Sequence, residues 1–193
     1  MVRLAVKKQK EEKLIEEGSS NLSEVKDWIS NVDTKVSIML ALMGIFLGYI
    51  LVEAEINLIE RISMTLNNGG ICNLNIWHFI KGGLIIALYV CVAISMLYFL
   101  KAIRAKINPD EFDGSGIKKD SLLFFGSVAN MEYKDYMKGI CDQKNKDKLK
   151  DVYSQVYINS RICNQKFIYY NKGIDYSVVA IVIFVICKLA QII

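Results

Sequence analysis

The sequence predicts an all-α membrane protein with three transmembrane helices and a helical cytoplasmic domain, and three observations carry that expectation. Hydrophobic residues make up 53% of the chain, above the roughly 45–50% of an ordinary globular domain, and they gather in three blocks, 36–52, 82–100 and 176–193. Lysine and arginine are divided very unevenly among the segments between the blocks. The two-residue alternation that marks half-buried strands is scarce.

Residues 1–35 open the chain as a polar, charged segment. Its first part reads as a helix over 3–17 that ends near Gly18, after which Ser20 or Asn21 caps a second helix leading into the first apolar block. No cleavable leader is predicted in so charged a stretch, so the first block doubles as the insertion signal. Asp33 and Lys35 sit at the mouth of that block.

The blocks 36–52 and 82–100 hold 17 and 19 residues without a formal charge. At about 1.5 Å per residue each covers roughly 25–29 Å, close to the hydrocarbon thickness of about 30 Å. Between them, 53–81 is expected to be a short outer loop with a plain turn at the "NNGG" of 67–70. The third block, 176–193, carries Lys188 near its end, and a lysine stem there reaches the far interface by snorkelling.

Seven Lys and Arg fall in 1–35, one in 53–78 and fourteen in 101–173. The positive-inside rule then places the N-terminus and 101–175 in the cytoplasm, with 53–81 outside. Trp28 precedes the first span and Trp77 the second, where indole rings suit the headgroup level.

Within 101–175, Pro109, Gly114 and Gly116 mark a loop. Ser121 to Phe125 is a short apolar run, 128–140 has a helical pattern, and 146–170 is expected to be a long helix. No seven-residue array long enough for a coiled coil stands out.

Several functions are excluded or disfavoured by what the chain lacks. Phosphate loops, dinucleotide fingerprints, nucleophile elbows and zinc-enzyme spacings are missing, so no enzyme and no cofactor are expected. The carboxylates Asp110, Glu111, Asp113, Asp120, Glu132 and Asp135 read as solvated charge. His78 stands next to Trp77 at a boundary, and the five cysteines have neither a CxxC pair nor a histidine at ligand spacing, so no metal site is expected. The net charge of +4 comes from bases interleaved with acids, which gives no case for nucleic acid as a partner. Ser37, Ala41, Gly44 and Gly48 form one small-residue stripe, suited to close packing of helices within the chain or between copies.

Three stretches together resemble the transmembrane effectors of Pycsar antiphage systems: "NVDTKVSIMLALMGIFLG" at the first junction, "NPDEF" followed by "SLLFFGSVANMEYKDY", and "DVYSQVYINSRICNQKF". The resemblance covers about 28–193. It implies an effector in the bacterial inner membrane that responds to cyclic CMP or cyclic UMP made by a partner pyrimidine cyclase, and that impairs the membrane so that the cell dies or stops growing before phage mature.

A cyclic nucleotide presents a phosphate, a ribose hydroxyl and a flat base, so a site for it needs cationic, polar and stacking groups. Under that resemblance Lys35, Arg161 and Lys166 supply charge, Asp33 and Asn159 polar contacts, Phe124, Phe125 or Tyr133 a stacking face, and Gly126 close backbone approach. The competing reading of the same residues is structural: Asp33 pairs with Lys166 or Arg161 and fixes the first span to the long helix. Two other function classes fit the spans, a membrane anchor or scaffold that recruits a protein, and a small holin-like channel. A homo-oligomer is expected, because three helices of one chain do not easily line an aqueous path.

Overall fold

The computed structural model describes residues 2–68, 76–104, 116–118 and 120–191, with side chains for 5–53, 80–104, 116–118 and 120–191. The regular elements among these residues are all helices: α1 (Val2–Asn68), α2 (Ile76–Ile103), α3 (Phe125–Ala129), α4 (Tyr133–Asp142) and α5 (Asn145–Leu189). Cys72, Pro109 and the carboxylates Asp110, Glu111 and Asp113 lie outside the described residues, as do 69–70 of the expected "NNGG" turn.

Helix α1 does not stop at Gly18, and neither Ser20 nor Asn21 caps a second helix. A side chain at Gly18 would bring its Cβ to 2.9 Å from both Val152 Cγ1 and Tyr153 Cε2, so this glycine permits helix contact instead of ending a helix. Ser19 donates its hydroxyl to the Ile15 carbonyl, the back-bonded arrangement of a mid-helix serine. The segment expected as an outer loop is helical over 53–68 and 76–81.

The apolar pattern of α1 has a longer register than the sequence reading found. Ile15, Leu22, Val36, Met43 and Ile50 are all buried and stand seven or fourteen residues apart, with Gly18 and Val32 buried on the same face. That is a seven-residue seam, which keeps one stripe of a helix turned inward over many turns.

Two other expected boundaries shift. The helix foreseen over 128–140 is broken into α3 and α4, because Asn130 bonds backward and interrupts the ladder: its Nδ2 donates to Gly126 O at 3.0 Å and its backbone N–H to Ser127 O. Glu132 is then extended, with ψ 144°, before α4 begins. The helix foreseen over 146–170 and the third apolar block form the single helix α5.

The chain divides into two units, Met1–Val32 with Ala105–Lys166, and Asp33–Arg104 with Phe167–Ile193. In the first, the buried residues of α1 are Ile15, Gly18, Leu22 and Val32, and α5 contributes Val152 together with the polar Asp151, Ser154, Gln155 and Lys166. Leu122 packs on Gly139 of α4, 3.3 Å from the position of a Cβ there.

The second unit is three helices. On α2, Leu88, Val92, Ser95, Phe99 and Ala102 are buried at spacings of four, three, four and three, the inward stripe of a helix. Ser95 Oγ meets Ser177 Oγ at 2.7 Å and donates to Gly173 O at 2.9 Å, and the Phe99 ring occupies the space a Gly173 side chain would need. Tyr98 stacks on Tyr176, with ring centroids 5.6 Å apart. Numbers fall along α2 as they rise along α5, so this pair is antiparallel. On the other side Phe46 meets Phe184 edge-on at 5.3 Å and Glu53 meets Lys188, so α1 and α5 run parallel.

Among the described residues two helices are long and apolar enough to cross a membrane, Ala5–Glu53 and Ile80–Ile103, and only 17% and 22% of their apolar windows are buried. A core helix of a water-soluble fold buries most of such a window; here the apolar side chains point outward. The third block reaches the end of α5 at Leu189 with Lys188 in its last turn. From 176 to 189 it covers about 21 Å at 1.5 Å per residue, shorter than the hydrocarbon core of about 30 Å.

Candidate functional site

The most structured polar site in the first unit is a strap, residues 116–118 and 120–124, held on α5. Ser121 is fully buried, and its Oγ accepts the N–H groups of Leu123 at 3.0 Å and Phe124 at 3.1 Å. That local turn sets Phe124 in an extended conformation at the start of α3. A Cβ on Gly126 would lie 2.6 Å from Phe124 Cε1, so glycine lets the Phe124 ring fold over the backbone.

Beneath the strap stands Asp151, a carboxylate with no solvent exposure. Its Oδ2 accepts the Leu122 N–H at 2.9 Å and lies 3.4 Å from Lys118 Nζ. One turn on, Ser154 Oγ donates to Lys150 O at 2.7 Å and accepts the Lys118 N–H at 3.1 Å. The strap is thus bonded to α5 through both its backbone and a lysine. An ionised carboxylate accepting a backbone N–H makes a stronger bond than a neutral acceptor, which suits it to hold a segment that has no helix of its own.

At the end of the strap the aromatic residues face outward. Phe124 and Phe125 rings lie 4.8 Å apart, Phe125 is 80% exposed, and Tyr133 at the start of α4 is 78% exposed. Exposed aromatic faces of this kind are stacking surfaces for a flat base.

The nine residues singled out in the sequence divide between the units. Phe124, Phe125, Gly126, Tyr133, Asn159, Arg161 and Lys166 belong to the first, Asp33 and Lys35 to the second. Phe124, Phe125 and Gly126 are brought together. Asn159 turns its amide onto its own helix, Nδ2 donating to Gln155 O at 2.8 Å. Arg161 is exposed whereas Lys166 is only 5% exposed, so the two cations do not share one face of α5. In the second unit Asp33 is half-buried and Lys35 exposed on α1.

Sequence reading missed Asp151, Ser121, Lys118 and Ser154. Asp151 closes the charged run "DQKNKDKLKD", where it looked like one more solvated acid. A usable signal was its phase: it stands three residues before Ser154 and four before Gln155, on the helix face that also carries Val152. Asp120, Glu132 and Asp135 are exposed. Among the described residues no cluster of three His, Cys, Asp or Glu is placed to hold a metal, and Cys91, Cys141, Cys163 and Cys187 form no disulfide.

Comparison with known proteins covers both units. The family model of the Pycsar effector protein domain matches residues 18–191. The Pycsar effector protein GmPycTM of Gulbenkiania mobilis is 30% identical over 184 residues, a match that spans 93% of this chain and 93% of that protein. No solved structure matches the chain.

Proposed function

The chain belongs to the Pycsar effector family, and from that premise we propose that it is a non-enzymatic antiphage effector of the bacterial inner membrane. It responds to cyclic CMP or cyclic UMP made by a partner pyrimidine cyclase, and on binding impairs the membrane, so that an infected cell dies or stops growing. The observation that carries this reading is the family match across residues 18–191, which takes in nearly all of both units.

Three membrane spans fit the second unit better than two. The outward side chains of α5, Val178, Val179, Ile181, Val182, Val185 and Ile186, are apolar and about as exposed as those of α1 and α2. In water such a surface is unfavourable by about 25 cal/mol per Å², whereas in lipid it is the ordinary outside of a helix. The pairing of Glu53 with Lys188 at the same end of the two parallel helices fits a lysine that reaches the outer interface. The N-terminus and the first unit then lie in the cytoplasm, where the nucleotide is made.

Assembly into a homo-oligomer is part of the proposal. Ser37, Ala41, Gly44 and Gly48 are all exposed, and a Cβ added at Gly44 or Gly48 would meet nothing within 4 Å among the described residues. The stripe is therefore free for another helix.

Dye-loaded liposomes carrying the full-length protein test the reading. Cyclic CMP or cyclic UMP at micromolar concentration releases dye and gives heat by titration calorimetry, while cyclic AMP and cyclic GMP do not. Absence of both leakage and heat with every cyclic nucleotide refutes it.

A further inference from the structure

Asp151 is the one buried carboxylate among the described residues, and its two oxygens are not alike. Oδ2 is bonded to Leu122 N–H and faces Lys118, whereas Oδ1 is equally inaccessible and has no hydrogen-bond partner among the described residues. Ser121 Oγ accepts two of the strap's own N–H groups, and Ser154 Oγ is bonded to Lys150 O and the Lys118 N–H. A carboxylate oxygen without a donor in the interior is an uncompensated loss of hydration, and it gains most from a group that brings a hydrogen.

We infer that Asp151 is the base-reading residue of the ligand site and that it selects a cytosine edge over a uracil edge. The inference rests on the cyclic-pyrimidine reading above and adds which base is taken. A carboxylate can only accept. Cytosine offers the exocyclic N4 amine, a donor that carboxylates accept in base recognition. Uracil has a carbonyl oxygen in that place, and its one ring N–H is flanked by two carbonyls that a carboxylate repels. The strap carries the other complementary groups, Lys118 for the phosphate and the Phe124 and Phe125 rings for the base face. Because the carboxylate is sealed, entry lifts Lys118 and residues 120–124, and the amine donates to the Oδ1 that the strap leaves without a donor. Binding and release of the strap are then one event.

Calorimetry on the full-length protein in detergent, with cyclic CMP and cyclic UMP as the two probes, tests this. The wild-type protein binds cyclic CMP at least about tenfold more tightly than cyclic UMP. Asp151→Asn, whose amide can donate to a carbonyl, abolishes or inverts that ratio, a change that loss of folded protein alone does not produce. A wild-type preference for cyclic UMP, equal affinities, or an unchanged ratio in Asp151→Asn overturns the inference while leaving the effector reading intact. Binding of neither nucleotide overturns both. Hydrogen exchange on the wild-type protein serves where the variant does not fold: cyclic CMP speeds exchange in the peptide containing Leu122, and unchanged exchange on a bound complex counts against Asp151.

Discussion

Glu53 and Lys188 form an ion pair of 2.8 Å between α1 and α5, and the same ammonium lies 5.7 Å from the Tyr49 ring centroid and 5.9 Å from that of Phe184. The lysine therefore contacts the glutamate and two rings, while the glutamate contacts the ammonium and the Tyr49 hydroxyl. Lys188→Gln is expected to lower the thermal midpoint in detergent more than Glu53→Gln, because it removes the ring contacts together with the pair. The charge swap Glu53→Lys with Lys188→Glu recovers the pair and not the ring contacts. Equal midpoints for both single variants and the parent place this pair among the many exposed ones that add nothing measurable.

Gly173 carries a similarly specific demand. A Cβ there would stand 2.6 Å from Phe99 Cε1 and 2.7 Å from Cδ1, and Phe99 is fully buried, so the ring has nowhere to turn. Alanine favours a helix over glycine by about 1 kcal/mol. Overpacking a filled interface costs about 1–3 kcal/mol, and the second effect wins. Gly173→Ala lowers stability by about 1 kcal/mol or more in detergent unfolding, and Phe99→Leu added to it restores part of the loss. A Gly173→Ala protein more stable than its parent shows that the ring shifts freely.

The neighbouring hydroxyls give a smaller effect. Ser177 Oγ also donates to Gly173 O at 2.8 Å, so it keeps a partner when Ser95 is removed. Ser95→Ala leaves no unpaired group and is expected to cost about 0.6 kcal/mol, the usual size for a hydrogen bond between membrane helices. A loss several times larger in the same unfolding assay marks this node as a point of cooperative contact between α2 and α5.

Gly18 and Gly173 also explain what a reading of the sequence could and could not reach. The apolar blocks 36–52 and 82–100 were legible because length and lack of charge are properties of a window, and they need no knowledge of neighbours. A glycine is ambiguous: by local chemistry Gly18 reads as a stop, yet Val152 and Tyr153, far along the chain, need its missing side chain. The seam through Ile15, Leu22, Val36, Met43 and Ile50 was present in the sequence at a period of seven. It was hidden because its first half lies among charges and its second half among apolar residues on every face. At the strap, the aromatic "LLFFG" residues stood out by type. Asp151 did not, because its burial depends on a loop brought to it from thirty residues earlier.

The exposed Phe125 offers a test of function separate from folding. Its ring is 80% exposed and tilts against Phe124, so replacing it removes little packing. Phe125→Ser is expected to leave the helical circular dichroism unchanged and the unfolding stability within about 0.5 kcal/mol of the parent, as for other surface changes. Base stacking is worth about 1–3 kcal/mol, so cyclic nucleotide affinity falls roughly 5- to 150-fold. Unchanged affinity removes this ring from the site and leaves Phe124 or Tyr133 as the stacking face.

The small-residue stripe of α1 separates packing within the chain from packing between copies. Ser37, Ala41, Gly44 and Gly48 are exposed, and no atom of another described element lies within 4 Å of a Cβ added at either glycine. Leucine at both positions therefore starts into open space and improves helix propensity by close to 1 kcal/mol per site. Between copies it keeps the backbones from the close approach on which association of membrane helices depends. Gly44→Leu with Gly48→Leu is expected to retain helix content while reducing crosslinked oligomer in membranes and nucleotide-triggered dye leakage together. Full crosslinking in the double variant assigns the contact between copies to another face. Loss of helix content instead means that the stripe packs within the chain.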